Sequence, residues 1–407
     1  MTNEVVAPDH LREAPPLNSA AAAPQPSTSR GPLDGLVVAD LSRVLAGPYC
    51  SMLLADLGAT VIKVESPDGD DTRTWSPPEK DGVSTYYMSI NRNKKSLVLD
   101  FKNDDDLAVA RSLLQRADIA LENFKPGGIE KFGLGYDDVK DDNPGLIYLS
   151  ISGFGTEGGA GLPGYDLVVQ AVSGLMSLTG SPDGEPFRAG ISVFDVMTGM
   201  HGLIGILAAL NQRNETGLGQ HIKVNLLSSA LSGLVNHSAS FTAAGAVPMR
   251  MGNAHPSVYP YQVMPTADRD VIITAANDRQ FRGLCKVLGV EHLADDERFA
   301  RNEDRTANRD VLHPMLIDAM STWSADDLFT QLMAAGVPCG PINTIAEGVG
   351  LAEQLGLNPR VTLGEGDSAV DLVRNPISFS GSELRYHSAP PALGADSDEI
   401  RRWLLTD

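Results

Sequence analysis

The sequence predicts an α/β fold, a parallel sheet in a large domain accompanied by a smaller α+β domain. Three observations carry this. Short runs rich in β-branched residues alternate with helical patterns through the first half of the chain. The segments between them carry helix start and stop residues. With 407 residues, the chain exceeds what one hydrophobic core serves, so two domains are expected.

The elements follow in order. Leu36–Asp40 reads as the first strand. The helix after it has Pro48 in its first turn, Gly58 where a left-handed C-terminal glycine belongs, and Tyr49, Leu53 and Leu57 on one stripe. Strands are expected at Thr60–Val64 and Ser96–Leu99. Asn103 and Asp104 to Asp106 open a second helix, where acids suit the positive end of the helix dipole. Two further strands, Asp118–Leu121 and Leu146–Ile151, complete a Rossmann-like pattern of parallel strands. Leu167–Leu178 and Asp195–Gln212 are helical and apolar, which predicts core helices. Gly217-Leu218-Gly219-Gln220 breaks the chain before a short strand, His221–Val224, and a domain boundary is placed near Leu226. Residues 226–336 hold a strand at Val271–Ala275 and helices near Arg279–Leu288 and Ala325–Ala335, which suits the smaller α+β domain.

A 42% hydrophobic fraction with 21% charged residues is ordinary for a globular protein. The formal charge of −20 argues against nucleic acid or an anionic membrane as partner. An anionic ligand would then need a local basic patch. Arg92, Lys94 and Lys95 cluster before one strand, and Lys125 and Lys131 flank Pro126-Gly127-Gly128. Cys50, Cys285 and Cys339 have no metal-ligand spacing and read as free thiols of a reducing compartment. Residues 1–31, rich in Ala, Pro and Ser, read as a disordered tail without a signal peptide. The longest apolar run, Gly202–Leu210, is too short to span a bilayer, so a cytoplasmic protein is expected.

Gly153-Phe154-Gly155-Thr156-Glu157-Gly158 matches the dinucleotide-binding pattern and follows a strand. The glycines continue through Gly159 and Gly161 to Pro163, so no helix can open where a pyrophosphate would need its N-terminus. A nicotinamide-dependent oxidoreductase is therefore disfavoured.

Five separated blocks carry a resemblance. They are Leu33–Pro48 with Leu57–Glu65, Asn91–Asp100, Glu122–Gly127, the Gly164–Asp195 region containing Thr179-Gly180-Ser181-Pro182-Asp183-Gly184-Glu185-Pro186, and Gly336–Pro341. In this order they resemble the class III CoA-transferases, the formyl-CoA transferase or CaiB/BaiF family, along nearly the whole chain. The resemblance implies transfer of CoA between an acyl-CoA thioester and a free carboxylic acid, with the CoA thioester as substrate and no prosthetic group or metal. It implies that residues 337–407 rejoin residues 32–225 in the large CoA-binding domain. It also implies an interlocked homodimer.

The same resemblance implies an aspartate nucleophile that forms an anhydride and then an aspartyl-CoA thioester; this role is assigned to Asp183. On local grounds alone Pro182-Asp183-Gly184 is simply good turn chemistry. CoA contacts are implied at Arg43, Val44 and Ala46; at Leu99, Asp100, Phe101 and Lys102; at Asn123, Phe124 and Lys125; and at Lys131, where the family often has arginine. Ser152, Gly153, Phe154 and Gly155 form a loop against CoA whose N–H groups are candidates for oxyanion stabilisation. Ser66 stands where some relatives carry a nucleotide-binding arginine.

Racemases of the same fold have histidine where Tyr165 stands, partnered by an aspartate matching Asp195. A tyrosine, ordinarily titrating near ~10, is a poor base at neutral pH. Asp195 is then read as structural, a candidate N-cap of its helix. Racemase or isomerase activity and a non-catalytic CoA-binding protein are the alternatives. Arg250 or His255, on a small-domain loop without a glycine run, could pair a distal carboxylate, which would favour dicarboxylates such as succinate.

Overall fold

The computed structural model describes residues 30–366 and 369–405. Apart from Arg30 and Gly31, the tail expected at residues 1–31 lies outside the described residues.

The large unit is built on a six-stranded sheet. Its strands are β1 (Val37–Asp40), β2 (Thr60–Glu65), β3 (Lys94–Val98), β4 (Ile119–Glu122), β5 (Ile147–Ser152) and β6 (His221–Asn225). Their order is β3-β2-β1-β4-β5-β6, every neighbouring pair parallel. This is the doubly wound arrangement, in which the strand order reverses between β1 and β4 and opens a crevice at their carboxyl ends.

Both faces of the sheet are covered, so successive residues of its inner strands enter different cores. Val38, Val61 and Leu149 face a core shared with helix α1 (Ala46–Asp56). Ala39, Ile62 and Tyr148 face a second core, shared with helix α2 (Asp104–Arg116). Asn103 caps α2, its side chain accepting the N–H groups of Asp105 and Asp106. Gly58, at φ +109°, ends the α1 turn as its position in the sequence suggests.

The apolar stretch at 167–178 is not one helix. It forms α3 (Asp166–Val172) and a short turn of helix, Leu175–Leu178, separated at Gly174, whose φ is +99°. Helix α4 (Val193–Thr216) runs 24 residues, longer than the expected Asp195–Gln212, and by length and composition could cross a membrane. Instead Phe194, Leu203 and Ile206 bury it against α1 and the sheet. Its opposite face, with Ile204 63% exposed, is uncovered, as are Leu167 and Val172 of α3. Burial on one side was expected of these helices; apolar exposure on the other was not.

The smaller unit has its own core around Phe281, Leu284, Leu316 and Leu328. Its antiparallel sheet joins Tyr261–Pro265, Asp270–Thr274 and Cys339–Pro341. Leu226 and Ala230 of α5 (Leu226–Gly233) still belong to the large core, and Cys339–Pro341 is still paired in the small sheet. The chain then returns: the Arg385 N–H donates to the Asp56 carbonyl at 2.7 Å. Ile400 and Leu404 of the C-terminal helix Ser397–Leu405 fill the core beside α2.

Candidate active site

The crevice at the switch point is a cleft of about 150 Å³, walled by the turn after β1, the turn after β4 and the ends of β5. Arg43, Val44, Leu45 and Ala46 form one wall, Asn123 to Pro126 the second, and Ser152 and Gly153 the third; Tyr165 and Asp195 close the end. A second cavity, of about 650 Å³, continues toward β2 and β3 along Ser66 to Asp71 and Leu99 to Lys102. Arg43 and Phe124 line both, so the two form one groove across the carboxyl edge of the sheet.

Of the expected contacts, the groove gathers Arg43, Val44, Ala46, Leu99, Asp100, Phe101, Lys102, Asn123, Phe124, Lys125, Ser152 and Gly153. Phe154, Gly155 and Lys131 line neither cavity; Lys131 is exposed beside Phe132, which does. Arg250 donates instead to the Ser181 carbonyl at 3.2 Å, and the His255 ring lies against Tyr261.

The groove walls are tied together by polar side chains. The Arg43 N–H donates to Asn123 Oδ1 at 2.9 Å, and Asn123 Nδ2 donates back to the Arg43 carbonyl at 2.7 Å. Glu122 Oε2 accepts the Phe124 N–H at 2.8 Å, and burial pushes its carboxyl up to about 7. Gly153 and Gly164 cross so closely that a side chain on Gly153 would meet Gly164 Cα at 2.5 Å. That close approach brings Tyr165 and Asp166 to the head of α4.

Asp183 is exposed on a turn closed by the Gly184 N–H donating to the Ser181 carbonyl at 3.1 Å, and it lines neither cavity. The carboxylate that lines the cleft is Asp195; the Pro/Gly-framed turn that carries Asp183 lines neither cavity. Nor is Asp195 an N-cap. It occupies the first turn of α4, behind Ser192, and the capping carboxylate comes from α3. Asp166 Oδ1 accepts the Phe194 N–H at 2.8 Å and the Asp195 N–H at 3.2 Å, while its other oxygen accepts from Gln170. Burial first, and then the charge of Asp166, push the Asp195 carboxyl up to about 7. Burial also raises the phenol of Tyr86, which feels both Asp195 and Asp166 and bonds Ser192 just before α4.

The basic cluster read as a phosphate patch is mostly structural. Arg92 forks onto Asp56, Nε to Oδ1 at 2.9 Å and Nη2 to Oδ2 at 2.6 Å, with both side chains buried. Lys94 is enclosed by Asp40 at 3.2 Å, the Pro48 carbonyl and Asn91; burial lowers it to about 8 against the pull of Asp40. Lys95 pairs with Glu399. The cations left along or beside the groove are Arg43, Lys102, Lys125 and Lys131, all exposed, and Arg43 meets Asp71 at 3.2 Å.

The fold and site are those of a doubly wound α/β protein whose switch-point groove holds a half-buried carboxylate. The sequence matches the model of CoA-transferase family III over residues 33–397, and the chain belongs to that family. It is 43% identical over 384 residues to the succinate–glutarate CoA-transferase of Agrobacterium fabrum, across 92% of this chain and 96% of that one. It is 37% identical over 379 residues to the human succinyl-CoA:glutarate CoA-transferase, across 92% and 86%. A CaiB/BaiF family protein from Brucella suis superposes with a TM-score of 0.83 at 43% identity, across 92% of this chain and 100% of that one. The protein is accordingly an enzyme that moves CoA between an acyl-CoA thioester and a carboxylic acid.

Proposed function

We propose that the protein exchanges CoA between dicarboxylic acids of the succinate and glutarate class, with Asp195 as nucleophile in place of Asp183. The observation that carries this is the position of Asp195 at the closed end of the groove, among apolar walls that raise its basicity. A carboxylate there can attack a thioester carbonyl, giving an aspartyl anhydride and CoA thiolate. The thiolate then attacks the aspartyl carbonyl, forming aspartyl-CoA thioester and releasing the first acid; the acceptor acid reverses both steps. Bond types are exchanged one for one, so no external energy source enters. The task left to the chain is to hold CoA, offer N–H groups to the tetrahedral oxyanion and keep water from the anhydride. Leu45 and Gly153 line the same cleft as Asp195, and their N–H groups are read in that role.

CoA is read along the groove, its nucleotide end toward Leu99–Lys102 and its pantetheine between the Arg43–Ala46 turn and Asn123–Lys125. The dicarboxylate preference is supported by the names of the two transferase relatives. We read the working unit as a homodimer. The uncovered apolar side chains of α3, α4 and α6 (Val235–Ala244), among them Val172, Ile204 and Val235, support this reading.

The test incubates succinyl-CoA with pooled carboxylic acids and reads new acyl-CoA species by mass spectrometry. Asp195→Ala is expected to abolish transfer and Asp183→Ala to retain it. Hydroxylamine trapping during turnover should modify position 195. Modification at 183, or transfer surviving in Asp195→Ala, refutes the assignment.

A further inference from the structure

The turn between β1 and α1 has a shape its own residues disfavour. Val44 sits at φ +69°, a region that β-branched side chains avoid, so its surroundings must impose it. Two clamps do so. Asn123 grips the Arg43 peptide from one side. From the other, the Val44 N–H is shared between the two carboxylate oxygens of Asp70, at 3.3 and 3.4 Å.

Asp70 is itself held fast. It accepts from Lys63 Nζ at 2.8 Å, from the Thr72 N–H at 2.9 Å and from the Thr72 hydroxyl at 2.7 Å. The Lys63 ammonium also donates to the Ser42 carbonyl at 3.0 Å. One ion pair, both side chains 1% exposed, therefore fixes the carbonyl of Ser42 and the amide of Val44, two residues apart. A buried ion pair is a poor device for stability, because an apolar pair of the same volume serves as well or better. Fixing two peptide groups is something an apolar pair cannot do.

We propose that Asp70 is a positioning residue for acyl-CoA: charge-paired with Lys63, it holds the Arg43–Ala46 turn in the shape that walls the groove opposite Asn123. The inference rests on the reading of that groove as the acyl-CoA site. Without the Asp70 charge the turn relaxes, and acyl-CoA must restore its shape on binding. Affinity falls, while the chemistry at Asp195 is unchanged once the complex has formed.

Asp70→Asn keeps the side-chain shape and removes the charge. The KM for succinyl-CoA is expected to rise about tenfold, with kcat and the KM for the acceptor acid within about threefold of the parent. Glycine adopts positive φ without penalty, so Val44→Gly in the same chain should bring that KM back to within about threefold of Val44→Gly alone, which general destabilisation would not do. Should Asp70→Asn not fold, Lys63→Met with Asp70→Leu removes the uncompensated ammonium and should show the same rise. An unchanged KM for succinyl-CoA in the folded variants, or a rise that Val44→Gly leaves in place, overturns the proposal. If Asp195→Ala abolishes transfer while Asp70→Asn leaves the KM alone, this inference fails and the nucleophile assignment stands.

Discussion

Replacing Asp195 with Asn should stabilise the protein, by an amount that grows as pH rises from about 4 to about 7 and is constant above. In the folded chain the Asp195 carboxyl titrates at about 7 instead of the ordinary 3.8. A raised carboxyl keeps its proton in the folded state where the unfolded chain has already lost it. Stability therefore falls as pH rises from about 4 to about 7 and is flat beyond, since the folded state binds the extra proton only in that window. A shift of this size corresponds to a ceiling of about 4 kcal/mol. The side chain is only half-buried, so solvent screens part of the effect and about 2 kcal/mol is expected. Asn carries no charge and forgoes the whole effect. The variant should match the parent at pH 4.5 and exceed it at pH 8 by about 2 kcal/mol, or about 3 °C in Tm for a chain of this size. Every other carboxylate is common to both proteins and cancels in the difference. Denaturant or thermal unfolding of the two proteins side by side measures it. The same ionisation predicts that kcat/KM of the parent rises with pH to a plateau, half-complete near 7, since only the charged carboxylate attacks. A stability difference that stays flat from pH 4.5 to 8 would show that Asp195 is not desolvated as the fold implies.

Arg92→Met should lower stability by about 3 kcal/mol, because it leaves Asp56 charged and buried, while the KM for acyl-CoA stays put; a raised KM without loss of Tm would return Arg92 to the ligand. Lys125→Ala and Lys131→Ala should each raise that KM about fivefold, more at low salt, if they meet CoA phosphates, and CoA titrations at two ionic strengths decide it. Gly153→Ala places a methyl group against the Gly164 backbone and should cost about 1–3 kcal/mol and most of the activity, read by Tm and turnover together.

The parallel sheet was legible because its strands are short β-branched runs between recognisable helix ends, as at Pro48 and Gly58. The lysines show where such reading stops. Lys94 and Lys95 are adjacent and look alike in sequence, yet one is sealed beneath the β1–α1 turn and the other reaches the surface, because successive strand residues point to opposite faces of the sheet. Asp40, acidic at the end of a buried strand and followed by Ser42 and Ser51, was the available sign that a cation lay within. Apolar α3 and α4 announced burial without saying by what, and only one side of each meets this chain's own core. The proposed nucleophile divides local from tertiary reasoning in the same way. Asp183 was conspicuous because four neighbouring residues make a turn, and a turn is a local property. Asp195 is singled out because three segments far apart in sequence, the turn after β1, the turn after β4 and the end of β5 with its Gly153–Gly164 crossing, line one cleft with the first turn of α4. Its sequence signals were the match to the aspartate of the racemases and an acid embedded in an otherwise apolar helical stretch, whose desolvation any fold must either neutralise or use.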